Sequence, residues 1–208
     1  MLVLPLFPTT SLGVSSRFHF ELLFCLIYML SKILNFIALQ VGWFACVVGA
    51  AKGYVWLGPL FVVLFLIGHI LLVAPDRLRE VKFILAVGVL GAVADSLQKM
   101  YGVLAYMDDF VRLQWLAPAW IISLWVLFAS SFSTSLEWMH RRYLVGAVFG
   151  AIGGPLSYLA GTKFGAITFK YDPTFSMLVV GLVWGSIMPI LLVMAEKFGL
   201  VQPVKIET

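Results

Sequence analysis

Apolar residues along this chain come in blocks of about twenty, set apart by short clusters that hold most of the charge. At about 1.5 Å per helical residue, such a block matches the roughly 30 Å hydrocarbon core of a bilayer. Six blocks are legible, at about 33–51, 54–74, 83–105, 116–136, 143–167 and 175–195. They predict an all-α polytopic membrane bundle of six transmembrane helices. Lys32 and Lys52 bound the first block, in which Asn35 and Gln40 are the polar members. Pro75-Asp76 stops the second before a charged loop, DRLREVK. The third is the least hydrophobic, because it carries Asp95, Gln98 and Lys99. The fourth has Pro118 near its start and then ASSFSTS, whose hydroxyls can bond back to their own helix carbonyls. Glu137, His140, Arg141 and Arg142 close it. The sixth holds Trp184, a kink expected at Pro189, and an end at Glu196-Lys197. Between the third and fourth blocks, YMDDFVRLQW pairs Asp108 with Arg112 four residues on, which suits a short interfacial segment.

Residues 1–28 fit this scheme poorly. Two prolines and a Ser/Thr cluster precede a short apolar stretch interrupted by His19 and Glu21, with neither the basic start nor the cleavage site of a signal peptide. The expectation is a peripheral extension, or an upstream misreading of a start at Met29, leaving 29–208 as a single membrane domain.

Composition supports the class: the chain is 62% hydrophobic and 12% charged, against about 25% charged in soluble domains. The net charge of +4 forms no basic stripe, so it speaks for membrane topology and not for nucleic acid. With six spans and the N-terminus inside, Arg17, Lys32, Arg77, Arg79, Lys82, Arg141, Arg142, Lys197 and Lys205 fall on the cytoplasmic side. Lys52, Lys99, Arg112, Lys163 and Lys170 fall outside. The bias predicts an N-in/C-in arrangement. Tyr54, Trp56, Tyr101, Tyr106, Trp115 and Tyr171 then form an outer aromatic belt, with Trp138 and Tyr143 at the inner boundary. Cys25 and Cys46 lie in apolar runs with no CxxC pattern, as small buried hydrophobes do.

The fifth block contains GAVFGAIGGPLSYLAGTKFG. Gly146, Gly150 and Gly154 fall four apart on one helix face, and with Gly153 and Pro155 they predict a central packing helix broken at the Gly-Gly-Pro step. No counterpart of that break occurs in the first three blocks, which argues against an inverted-repeat transporter.

Asp95 lies thirteen residues beyond Lys82 and Pro155 thirteen beyond Arg142, on spans running the same way. Asp95, Gln98, Lys99, Ser157 and Tyr158 are therefore expected at one depth, as a candidate polar pocket between two helices drawn together by glycine. Asp95 and Lys99, one turn apart, can neutralise each other and lock the third span; alternatively they serve a ligand or proton. Lys99 can also snorkel outward. His69 has no companion at metal-ligand spacing and reads as a hydrogen-bonded structural residue. Glu137 and His140 have that spacing, but lack a second pair and adjoin two arginines. No metal or other cofactor is expected, and no nucleophile, phosphate-loop or zinc motif identifies an enzyme.

ILNFIALQVGWFACVVGAA at 33–51, APAWIISLWVLFASSFSTSLEW at 117–138 and, most specifically, GAIGGPLSYLAGTKFGA at 150–166 resemble a family of small bacterial inner-membrane proteins known only as a domain of unknown function. The resemblance covers about Lys32 to Gly199. Members are often encoded near cyclopropane-fatty-acid synthases and other envelope lipid genes. The resemblance therefore implies an accessory role in membrane lipid modification or envelope stress adaptation, with membrane lipids and a lipid-modifying enzyme as partners. The alternative is a small transporter or membrane-embedded enzyme built on Asp95 and Tyr158.

Overall fold

In the computed structural model, the described residues are 14–107 and 113–200. Residues 1–13 of the expected extension and half of the expected interfacial segment, at 108–112, lie outside them. Six α-helices are described: α1 (Val14–Ala51), α2 (Leu57–Leu72), α3 (Arg77–Met100), α4 (Ala119–Ala129), α5 (Tyr143–Phe164) and α6 (Pro173–Lys197). Three segments are long and apolar enough to cross a membrane: Cys25–Ala51 within α1, the whole of α5 and the whole of α6. Helices α2 and α4 are apolar but shorter, at 16 and 11 residues.

Several boundaries differ from the sequence expectation for physical reasons. Helix α1 starts at Val14, nineteen residues before the expected span, because no proline or glycine interrupts the chain between Val14 and Lys32. The charged stretch after Pro75 is not a loop. Asp76 accepts a hydrogen bond from the Arg79 amide at 3.2 Å and so caps α3, whose first turn contains Glu80. Helix α4 ends at Ala129 rather than crossing to 136. There the Ser130 hydroxyl bonds the Leu127 carbonyl at 2.7 Å and Thr134 bonds the Ser130 carbonyl at 2.8 Å. Backbone bonds tighten to three-residue spacing from Ser130 on, and a short 3-10 turn follows at Glu137–Met139.

Helix α3 stops at Met100, where Gly102 takes a positive φ, and α5 stops at Gly165, also at positive φ. The chain beyond each forms a strand, β1 (Leu104–Tyr106) and β2 (Ile167–Phe169), paired antiparallel with Ala105 opposite Thr168. These strands mark one end of the bundle, called the strand end below.

Helix α4 is the centre of the bundle. From Leu116 to Glu137 no residue is exposed, and Trp120, Leu127, Ala129 and Phe132 are wholly buried. Helix α5 therefore is not the element around which the others pack. Its glycine face belongs to a tight pair with α6. A Cβ at Gly150 would lie 2.6 Å from the Met188 side chain, one at Gly154 2.5 Å from the Trp184 ring, and one at Gly146 2.6 Å from Leu192. Pro155 does not break α5. Helix α6 packs so closely over this step that a Cβ at Gly181 would lie 3.1 Å from the Ala151 carbonyl, the one that loses its usual donor to the proline. Gly153 lies off the seam, with open space beside it.

Candidate functional site

Asp95 sits wholly buried on the inward face of α3, about five turns from Arg77. Its Oδ1 accepts from the Tyr158 hydroxyl of α5 at 2.5 Å and from the Tyr106 hydroxyl of β1 at 2.7 Å. Its Oδ2 accepts from Trp125 Nε1 of α4 at 2.5 Å. Gln98 Nε2 adds a longer contact to Oδ1 at 3.4 Å. Close donors from three different elements thus converge on one side chain. An ionised carboxylate suits this set, because it accepts only, and the indole N–H can only donate.

The five residues expected in the pocket separate into two groups. Asp95, Tyr158 and, more loosely, Gln98 come together. Ser157 is adjacent but faces α1, where it accepts from Trp43 Nε1 at 2.9 Å. Lys99 does not pair with Asp95: its ammonium donates to the Leu116 carbonyl at 2.7 Å and the Leu113 carbonyl at 3.3 Å, holding the chain that leads into α4. Glycine does not bring α3 and α5 together directly either. The α5 seam faces α6, and α3 instead receives α4, with the Trp125 ring lying against Gly91.

Two members of the cluster, Tyr106 and Trp125, escape sequence reading. Tyr106 belongs in the pattern to the outer aromatic belt, whose members Tyr54, Trp56, Tyr101, Trp115 and Tyr171 are all exposed. Strand β1 turns it inward instead. Trp125 looks like any apolar residue of its block. The available signal is that Gly88 and Gly91 of α3 leave room for a large neighbour.

Beside this cluster lies a cavity of about 360 Å³ between α1, α4, α5 and α6. Trp43 and Phe44 of α1, Trp120 and Trp125 of α4, and Phe149 and Gly153 of α5 are among its walls. Phe44 and Phe149 are each nearly half exposed on the bundle's outer surface, so the cavity opens sideways between α1 and α5. No charged side chain lines it among the described residues; Gln40, Ser157 and Tyr158 supply polar side chains, and the indoles supply N–H groups. Asp95 stands behind the wall, reaching the cavity only through Trp125 and Tyr158. The Trp125 ring stacks on Trp184 at 4.4 Å between centroids, which stiffens the wall.

A second buried carboxylate lies at the opposite end of the bundle. Glu80 Oε1 meets His69 Nε2 at 3.0 Å and accepts from the Ser133 hydroxyl at 2.7 Å, while Glu80 Oε2 is buried without a hydrogen-bond partner. Nearby, Asn35 of α1 bonds Ser130 at 3.0 Å and Ser135 at 2.7 Å. Tyr28 donates to Glu137, which also pairs with Lys32 at 3.1 Å. His140 Nε2 contacts the Phe132 carbonyl at 2.7 Å. Glu137 and His140 thus have separate structural partners, and the described residues contain no cluster of three or more metal-ligating side chains. Of the cysteines, Cys46 is buried as expected for a small hydrophobe, whereas Cys25 is exposed on the apolar flank of α1.

No curated protein and no solved structure matches the chain. One family does, by its sequence profile, over residues 32–190, a span that takes in both buried carboxylates and every wall of the cavity. The chain belongs to DUF2878, a family of proteins of unknown function.

Proposed function

We propose that this protein is a six-span membrane protein, with both chain termini on the cytoplasmic side, that binds a bilayer lipid through its side opening and serves lipid metabolism as a binding component rather than a catalyst. The excess of Lys and Arg in the segments assigned to the inside supports the orientation. With the strand end outward, the exposed Tyr54, Trp56, Tyr101, Trp115 and Tyr171 lie at the outer interface.

One observation carries the binding reading: an apolar, largely aromatic cavity open to the flank of the bundle between two helices that themselves face lipid. Ligand cavities have this composition and size. A cavity open to the hydrocarbon phase fills with what that phase contains. The Asp95 cluster supports binding over catalysis, because the carboxyl group is wholly buried behind Trp125 and Tyr158 and does not face the cavity. A general base needs a lone pair facing its substrate.

Tryptophan fluorescence tests this reading. Four of the seven tryptophans, Trp43, Trp120, Trp125 and Trp184, line the cavity; Trp56, Trp115 and Trp138 are exposed. In nanodiscs, a variant with the three exposed residues changed to Phe should still be quenched by lipids brominated on the acyl chain. Gly153→Phe, whose ring would project into open space, should cut that quenching by at least half. Equal quenching with and without the Gly153→Phe change, or none in either, overturns the cavity as a lipid site.

A further inference from the structure

The cavity has a polar end and an apolar end. Trp120, Ser157 and Tyr158 lie toward the strand end, while Phe128 and Phe149 lie about 12 Å away along α4 and α5. Gln40 stands apart from this division, at the exposed rim on α1.

The hydrogen bonding at the polar end is incomplete in one direction only. Tyr158 and Trp125 donate to Asp95, and Trp43 donates to Ser157. Trp120 is wholly buried, yet its Nε1–H has no acceptor. Ser157 accepts from Trp43 and donates to no described residue, which leaves its hydroxyl hydrogen for a ligand. A buried donor without an acceptor costs about 1–3 kcal/mol, and an oxygen brought by a ligand would remove that cost.

The same surroundings set the charge of that oxygen. An anionic head would sit behind the Trp125 and Tyr158 rings from the Asp95 carboxylate, in a medium that screens poorly, and against aromatic faces that repel negative charge. A cationic head brings no acceptor, so it would leave the Trp120 indole N–H unmatched. A neutral acceptor on an apolar tail remains. Depth chooses among neutral acceptors: Trp120 is the second residue of α4, at the strand end, with its ring against Tyr106 of β1 at 5.9 Å between centroids. With the strand end outward, as proposed, this end of the cavity faces the outer interface, the side on which glycerol ester carbonyls lie with their chains running toward the midplane.

We propose that the cavity seats one acyl chain of a glycerol ester lipid, with its ester carbonyl accepting the Trp120 Nε1–H and the Ser157 hydroxyl at its side. This rests on the reading of the cavity as a lipid site and adds the chemical group that it recognises. Ether lipids of the same chain length lack only the carbonyl oxygens, so they isolate the inferred contact.

The experiment compares brominated diacyl and dialkyl phosphatidylglycerol in nanodiscs, using the variant with Trp56, Trp115 and Trp138 changed to Phe. The ester lipid should reach half-quenching at a mole fraction three- to tenfold lower than the ether lipid, the range expected of one net hydrogen bond. Trp120→Phe should remove that preference while leaving quenching by the ether lipid in place. Equal quenching by ester and ether lipid, still sensitive to Gly153→Phe, overturns the carbonyl contact and leaves the lipid cavity standing. A preference that survives Trp120→Phe overturns the assignment to that indole. Displacement of both lipids by an added isoprenoid quinone, without an ester preference, gives the site to a quinone and overturns the proposal. Absence of quenching by either lipid removes the cavity reading and this inference together.

Discussion

Helix α3 buries two carboxylates fifteen residues apart, and they are treated in opposite ways. Asp95 takes close donors on both oxygens, from α4, α5 and β1. Glu80 takes both of its partners, His69 and Ser133, on a single oxygen and leaves the other buried and unpartnered. Moving an ionised group out of water costs several kcal/mol, which only well-placed partners repay. Asp95 has close partners on both oxygens and ties the strand end of the bundle together. Glu80 is repaid in part, by an imidazole from the neighbouring helix, and retains an unused acceptor. Equal burial therefore does not imply equal contribution to the fold.

This contrast orders a series of substitutions, each followed by thermal unfolding in one detergent. The largest effect should come from Asp95→Leu, which orphans three donors at once. A loss of about 3–5 kcal/mol, read as failure to accumulate folded protein, is expected. Near-normal unfolding of this variant would break the comparison at its strong end. Asp95→Asn keeps one acceptor but sets an amide against another donor, and about 2 kcal/mol is expected.

Glu80→Gln should cost less, about 1 kcal/mol, because the amide oxygen can serve His69 and Ser133 while the new NH₂ occupies the position that lacked a partner. A loss matching that of Asp95→Asn would show that the two carboxylates are equivalent after all. Single donors come last. Tyr106→Phe should cost about 1 kcal/mol and Ser133→Ala about 0.6 kcal/mol, in the range of side-chain hydrogen bonds within membranes. A reversal of these two would place the greater demand at the Glu80 end.

The long helices were legible because their information is periodic and local: α5 and α6 begin and end within a few residues of the apolar blocks that foretold them. What the pattern missed depends on groups distant in the chain. DRLREVK reads as a solvated loop until Asp76 caps it and His69, eleven residues before Glu80, makes burial of that carboxylate tolerable. The serine run after Ala129 reads as helix because hydroxyls can serve a helix, yet here they serve tight turns, Asn35 and Glu80. Asp95 and Tyr158 meet, as their equal depth on two helices of fixed rise allows. Same-face spacing misdirected Lys99, because spacing along a helix cannot register that carbonyls of another segment lie within reach. Tyr106 was hidden by its resemblance to every other boundary aromatic.

The burial of α4 bears on how the molecule is assembled. No residue from Leu116 to Glu137 is exposed, so this stretch draws little from contact with lipid, and its seven-residue hydroxyl-rich end would leave tight-turn carbonyls facing hydrocarbon if it stood alone. Helices α1, α5 and α6 each contain a segment long and apolar enough to cross a bilayer, whereas α4, at 11 residues, is too short to cross one alone. The middle of the sequence therefore depends for its place on chain that comes both before and after it.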